Sequence, residues 1–138
     1  MIYIDTNVII GFMDEKDPNH DAASRLLSSL DGRRAVSRLT LVELASVYSR
    51  AKLSDPLALA VYSVRKVEAQ VISIDLESTL IKAFKLASDL RLKTLDLLHI
   101  AACKTIGADF FATFDKDIVS KSKEIEKLGI RVVTPPTG

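Results

Sequence analysis

The chain has 138 residues, 48% of them hydrophobic and 27% charged, a composition that belongs to a folded globular protein and excludes an intrinsically disordered one. That length is one ordinary domain with core enough to fold without disulfides or a structural metal, so a single domain over residues 1–138 is expected. With 19 Lys and Arg against 18 Asp and Glu, the net charge is +1, which excludes the strongly basic balance of a protein that coats nucleic acid but leaves room for a local basic rim.

Ile2-Tyr3-Ile4 is a short β-branched run that meets Asp5-Thr6-Asn7, residues that favour caps and turns, so a strand is expected to end there, with a brief helix over 8–13. Pro18 lies in the polar segment 14–19, and the helix after it carries Ala23, Leu26, Leu27 and Leu30 at helical spacing, closed by Gly32. Ala35-Val36 is a minimal second strand. The next helix opens near Leu39-Thr40 with its stripe at Leu41, Leu44, Ala45 and Tyr48, and another starts at Asp55-Pro56 with a stripe at Leu57, Ala60, Val61 and Val64. Val71-Ile72-Ser73-Ile74 predicts a third strand ending at Asp75, and the helix beyond it is expected to pack Leu80, Ala83, Phe84 and Ala87. Residues 94–106 are apolar almost all round, which predicts a buried central helix ended by Gly107. Phe110-Phe111-Ala112 is a fourth strand, a polar helix follows over 117–128, and after Gly129 a last strand spans 130–133 before Pro135-Pro136.

Five short apolar strands alternating with helices imply an α/β fold, a three-layer sandwich whose parallel sheet is covered on both faces. The chain opens with no basic leader, long apolar segment or small-residue cleavage site, and its most apolar stretch, 95–114, is broken by Asp96, His99, Lys104 and Asp109. A cytoplasmic protein with no membrane partner is therefore expected, with the lone Cys103 an inert core thiol.

Asp5, Glu43, Asp96 and Asp115 each stand where a strand gives way to a helix or where a helix begins. In a parallel sheet those junctions share the carboxyl rim, the usual place for a functional crevice. Each acid has an ordinary explanation: Asp5 as a helix cap, Thr40 with Glu43 as a capping box, Asp96 as a complement to a helix dipole, Asp115 as a turn initiator. Four on one rim, each with a threonine near it (Thr6, Thr40, Thr94, Thr113), point instead to a shared divalent cation, Mg²⁺ or Mn²⁺, and so to phosphate chemistry. His99 projects from nearly the same helix face as Asp96 but sits among apolar residues, so packing or hydrogen bonding is its expected role. Lys93 and Lys116 flank the third and fourth acids, as RNA contacts or as solvated surface lysines.

Ile4-Asp5-Thr6-Asn7-Val8-Ile9-Ile10 resembles the opening motif of PIN domains; Thr40-Leu41-Val42-Glu43-Leu44, Leu95-Asp96-Leu97-Leu98-His99-Ile100-Ala101 and Ala112-Thr113-Phe114-Asp115-Lys116-Asp117 resemble the second, third and fourth. In order, spacing and length the chain is similar to the small VapC-type toxins of prokaryotic toxin–antitoxin pairs. The resemblance implies a metal-dependent endoribonuclease with Asp5, Glu43, Asp96 and Asp115 as metal-holding catalytic residues, and Thr6, Asn7, Thr113 and Asp117 as supports that orient ligands or waters. It also implies an RNA substrate, a cognate antitoxin and a homodimer. The alternative is a PIN-like scaffold that binds RNA or a protein without chemistry.

Other phosphate folds lack parts. Asp5-Thr6-Asn7 is similar to the Asp-x-Asp opening of aspartyl-phosphate phosphatases, but position 7 is asparagine. Asp75 lacks the acidic pair a phosphoacceptor receiver needs, and Gly11, Gly32, Gly107 and Gly129 are too far apart for a phosphate loop or dinucleotide fingerprint.

Overall fold

β1 (Ile2–Ile4) stands at the centre of the protein, whose computed structural model describes residues 1–136; the expected domain end at 138 lies outside the described residues. On one side β1 pairs with β2 (Arg34–Val36), and β2 with β3 (Ala69–Val71). On the other it pairs with β4 (Phe110–Ala112), and β4 with β5 (Arg131–Val133). Every pairing is parallel, and Tyr3 lies opposite both Ala35 and Phe111. The order β3-β2-β1-β4-β5 is the five-stranded parallel sheet expected from the alternation, and it places the reversal of strand order at β1.

Because side chains alternate along a strand, Ile2 and Ile4 enter one layer and Tyr3 the other. The first layer holds α1 (Thr6–Met13), α2 (His20–Ser29), α3 (Arg38–Arg50) and α4 (Pro56–Lys66), whose Val8, Ile9, Leu26, Leu44 and Val64 form one core with the two isoleucines. The second holds α5 (Leu76–Leu90), α6 (Thr94–Ile106), α7 (Lys116–Ser120) and α8 (Ser122–Glu126), whose Leu90, Ile100, Cys103, Ile118 and Ile125 close around Tyr3 and Phe111. The buried central helix is α6, over the bounds its composition predicts, and it stops at Gly107, whose φ of 81° favours glycine. Burial pushes the Cys103 thiol up to about 12, so it stays protonated.

Five local expectations are corrected. β3 begins and ends earlier than 71–74, because β2 offers only three residues to pair with; one further bond, Ile72 N–H to Val36 O at 2.8 Å, follows before the chain leaves for α5. α3 starts at Arg38, not Thr40: Ser37 takes the cap position but makes no capping bond, its hydroxyl being engaged by Tyr3. On α5 the face turned inward carries Thr79, Ala83 and Leu90, while Phe84 is 76% exposed; the helix is apolar on two sides, so spacing alone permitted either. The single helix expected over 117–128 is two short ones, divided at Lys121, whose N–H closes a tight turn onto Ile118 O at 2.9 Å. Leu57 also faces outward on α4, whereas Ala60 and Val64 are buried as expected.

Candidate active site

Asp5 is the first residue past β1. Its N–H extends the ladder to Ala112 O at 2.9 Å, which fixes the backbone and turns the side chain onto the start of α1, where Oδ1 accepts from Thr6 N–H at 2.9 Å. Oδ2 accepts from the Thr113 hydroxyl at 2.7 Å. That hydroxyl donates once and accepts twice, from Asp115 N–H at 2.9 Å and from Asn7 Nδ2 at 3.4 Å, which satisfies it fully. Asn7 Oδ1 in turn accepts from Phe114 N–H at 3.3 Å. The ends of β1 and β4 are thus tied together by side chains as well as by the sheet. Asp115 caps α7, with Oδ1 accepting from the N–H groups of Asp117 at 2.8 Å and Ile118 at 3.3 Å.

Glu43 and Asp96 come from helices. Since α3 begins at Arg38, Glu43 lies in its second turn, and the capping box with Thr40 does not form. The carboxylate goes to His99 instead, with Oε1 accepting from Nε2 at 2.9 Å. Asp96 is in the first turn of α6, whose other end feeds β4 through residues 107–109, so the helix presents its start to the carboxyl rim.

The acids sense one another. Asp96 is half-buried, and its carboxyl is pushed up to about 6, first by burial and then by the negative charges of Asp115, Asp5 and Glu43. Asp5, only 5% exposed, is also raised: burial dominates and Glu43 adds to it, against the opposing pull of His99 and of the Thr113 hydrogen bond. Glu43 moves the other way. Burial raises it, but the His99 hydrogen bond, the nearby Thr6 hydroxyl and the charge His99 carries when protonated outweigh that, holding it below the usual carboxylate range.

Beneath Glu43 lies a polar chain. His99 Nδ1 meets the Tyr3 hydroxyl at 2.7 Å, and that hydroxyl meets Ser37 Oγ at 2.8 Å. His99 is hydrogen-bonded, as its apolar sequence neighbours suggested, but Tyr3 and Ser37 were not singled out. The available signal was a tyrosine between two isoleucines in a strand buried on both faces.

Among the other residues singled out, Thr6 contributes its N–H to Asp5, while its hydroxyl is buried without a hydrogen-bond partner. Asn7 and Thr113 join the network directly, whereas Asp117 offers its N–H and leaves its side chain exposed. Lys93 and Lys116 are exposed at the starts of α6 and α7, flanking Asp96 and Asp115. A hollow of about 330 Å³ opens beside Glu43, lined by Leu39, Val42, Ser46, Arg50 and Leu95. A second, of about 380 Å³ between α1, α3 and α4, has none of the four acids in its lining.

Among the described residues no three of His, Cys, Asp and Glu stand close enough to close on one ion as they are. The donor set nevertheless suits a hard divalent cation: four carboxylates, two of them raised first by burial and further by neighbouring acids, and a buried threonine hydroxyl left for a coordinated water.

The sequence matches the family profile described as PIN domain over residues 2–124. No curated protein matches it. Among solved structures, VapC20 of Mycobacterium tuberculosis, described as a toxin that cleaves the sarcin–ricin loop, is 20% identical and covers 87% of this chain and 94% of its own, with a TM-score of 0.70. A toxin–antitoxin complex from Klebsiella pneumoniae contains a chain that is 18% identical with full coverage of both and a TM-score of 0.70. VapBC-1 from nontypeable Haemophilus influenzae contains one that is 20% identical, covering 96% and 98%, with a TM-score of 0.66. At these identities the likeness is one of fold.

Proposed function

The chain belongs to the PIN-domain family, and from that premise we propose that it is a metal-dependent endoribonuclease, the toxin of a toxin–antitoxin pair. The single observation that carries the reading is the tie at the carboxyl ends of β1 and β4, where the Thr113 hydroxyl joins the Asp5 carboxylate to the Asp115 N–H, with Asp96 at the start of α6 facing the same rim. Carboxylates gathered on one rim lower their mutual repulsion by binding a cation.

Asp5, Glu43, Asp96 and Asp115 would hold Mg²⁺ or Mn²⁺. Such an ion supplies activation of water and polarisation of a phosphodiester. The rest falls to the chain itself. Thr113 fixes Asp5 and, through its bond to the Asp115 N–H, sets the distance between the first and fourth acids. His99 holds Glu43 charged and in one orientation. Lys93 and Lys116, exposed on either side, would receive phosphates of an RNA strand laid along the rim, and Asp117 would orient water from the first turn of α7. No covalent protein nucleophile is needed.

The remaining partners are a cognate antitoxin and a second copy of the chain. Both follow from the likeness to VapC-type proteins, and solution mass tests the second. No helix among the described residues is long and apolar enough to cross a membrane; a cytoplasmic setting is part of the same proposal, as is a single domain for the whole chain.

Asp5→Asn tests the reading. The variant should keep the fold, lose Mn²⁺-dependent cleavage of RNA and lose the rise in Tm that Mn²⁺ gives the parent by binding the folded state alone. Cleavage that persists in the variant, or in the parent with excess EDTA, overturns it. Weak or absent Mn²⁺ binding by the parent in calorimetry favours the silent scaffold.

A further inference from the structure

Ser37, Tyr3 and His99 form a buried polar chain that ends on one partly exposed carboxylate. The first three are at most 1% exposed, and each link is short: 2.8 Å, 2.7 Å and 2.9 Å. Three separate parts of the fold supply the members. Tyr3 comes from the middle of β1, Ser37 from the turn between β2 and α3, and His99 from the second turn of α6. The Tyr3 ring is fixed as well as its hydroxyl, stacked on Phe111 at 5.5 Å and 8° and tilted against the imidazole at 5.7 Å and 60°.

We propose that Tyr3 and His99, braced by Ser37, are positioning residues that clamp the Glu43 carboxylate at the rim; the inference rests on the metal-nuclease reading above and adds to it. A carboxylate can only accept, so His99 Nε2 carries a proton and donates to Glu43 Oε1. The other ring nitrogen, Nδ1, meets the Tyr3 hydroxyl, and that hydroxyl meets Ser37 Oγ, so the imidazole is held at both nitrogens. Burial raises the Tyr3 pKa, so the phenol never gives up its proton in the working range. The edge of the imidazole that faces Glu43 is therefore fixed from the sheet, through Tyr3.

The chain engages one carboxylate oxygen only. Oε1 is held, and among the described residues Oε2 has no hydrogen bond. Packing alone does not require such a device. Phenylalanine at position 3 and leucine at 99 would fill similar volumes with no polar atom to satisfy, and a partly satisfied buried network is worse than an apolar core. Among the described residues Ser37, Tyr3 and His99 are each hydrogen-bonded, and the chain reaches the rim at Glu43.

The test uses Tyr3→Phe, His99→Leu and His99→Gln in the full chain, with folding checked by melting. Mn²⁺ affinity by calorimetry should weaken roughly tenfold in Tyr3→Phe and up to roughly a hundredfold in His99→Leu, the range expected when a support of a metal ligand is removed. Glutamine can place an N–H where Nε2 stands, so His99→Gln should recover most of what leucine loses. RNA cleavage should fall in kcat more than it rises in KM. Parent-like Mn²⁺ affinity in folded Tyr3→Phe and His99→Leu overturns the clamp, as does a folded His99→Gln that fails as fully as leucine.

A readout independent of metal and RNA is the imidazole ¹⁵N spectrum of the parent. A proton on Nε2, together with a Glu43 carboxyl signal that shifts in Tyr3→Phe, upholds the clamp; a bare Nε2 or an unmoved carboxyl signal overturns it. A parent that binds no Mn²⁺ defeats the metal reading, and the spectrum still decides the clamp.

Discussion

Ile4 and Tyr3 are neighbours on one strand, and neither exposes any surface to solvent. Ile4 belongs to the core built with α1 to α4, among Val8, Ile9, Leu26 and Leu44, where no hydrogen bond is called for. Tyr3 belongs to the core built with α5 to α8, stacked on Phe111, and delivers a hydroxyl to the foot of the chain under Glu43. One layer holds the sheet together; the other does that and also aims a carboxylate. Burial is equal on the two sides, so what separates a packing residue from a site residue here is its hydrogen-bond partners.

The contrast can be broken by substitution. Ile4→Ala should have the largest effect on stability, about 2–5 kcal/mol lost in urea unfolding through transfer and cavity terms. The folded fraction should bind Mn²⁺ as the parent does, and a parallel loss of affinity would erase the distinction between the layers. Thr113→Val comes next, at about 1–3 kcal/mol, because it strips partners from Asp5 Oδ2 and the Asp115 N–H at once. Unlike Ile4→Ala, it should also lower cleavage by the protein that remains folded. Tyr3→Phe should cost about 1 kcal/mol, the scale of one hydrogen bond, while its metal affinity falls out of proportion.

Asp96 gives the smallest effect, with the opposite sign. Its carboxyl is raised from 3.8 to about 6, so the folded protein holds that proton more tightly than the unfolded chain does. Without metal, stability therefore falls as pH rises between those values, and the loss is complete above the upper one. Asp5, raised in the same direction, adds to the trend. Asp96→Asn should stabilise the metal-free protein at pH 7 by about 1 kcal/mol after solvent screening of a half-buried group, with no gain at pH 4. Urea unfolding in EDTA measures both. Mn²⁺ should reverse the order, stabilising the parent above the variant.

Much of this was legible along the chain. Short apolar runs of two or three residues ending in cap-forming residues gave β1, β2 and β4, and the all-round apolar face of 94–106 gave α6, because strand and helix periods are local properties of the chain. The four acids could be chosen because each stands at or near the start of a helix, and strand-to-helix turns of a parallel sheet share a rim; Glu43, in the second turn of α3, lies furthest from its helix start. The alternation of strand and helix fixed the layers for the same reason: parallel strands need crossovers, and the crossovers cover both faces.

Tertiary contacts decided the rest. Thr40 and Glu43 spell a capping box, yet the helix starts two residues earlier, with Ser37 at its cap and the Ser37 hydroxyl on Tyr3, and Glu43 is taken by a histidine 56 positions away. Phe84 has the spacing of a core residue but faces solvent, since a helix apolar on two sides leaves its rotation to its neighbours. Local sequence sets which backbone shapes a segment can adopt over a few residues. Which face turns inward, and which buried hydroxyl meets which imidazole, depends on partners dozens of residues distant, and these meet only when the two layers close on β1.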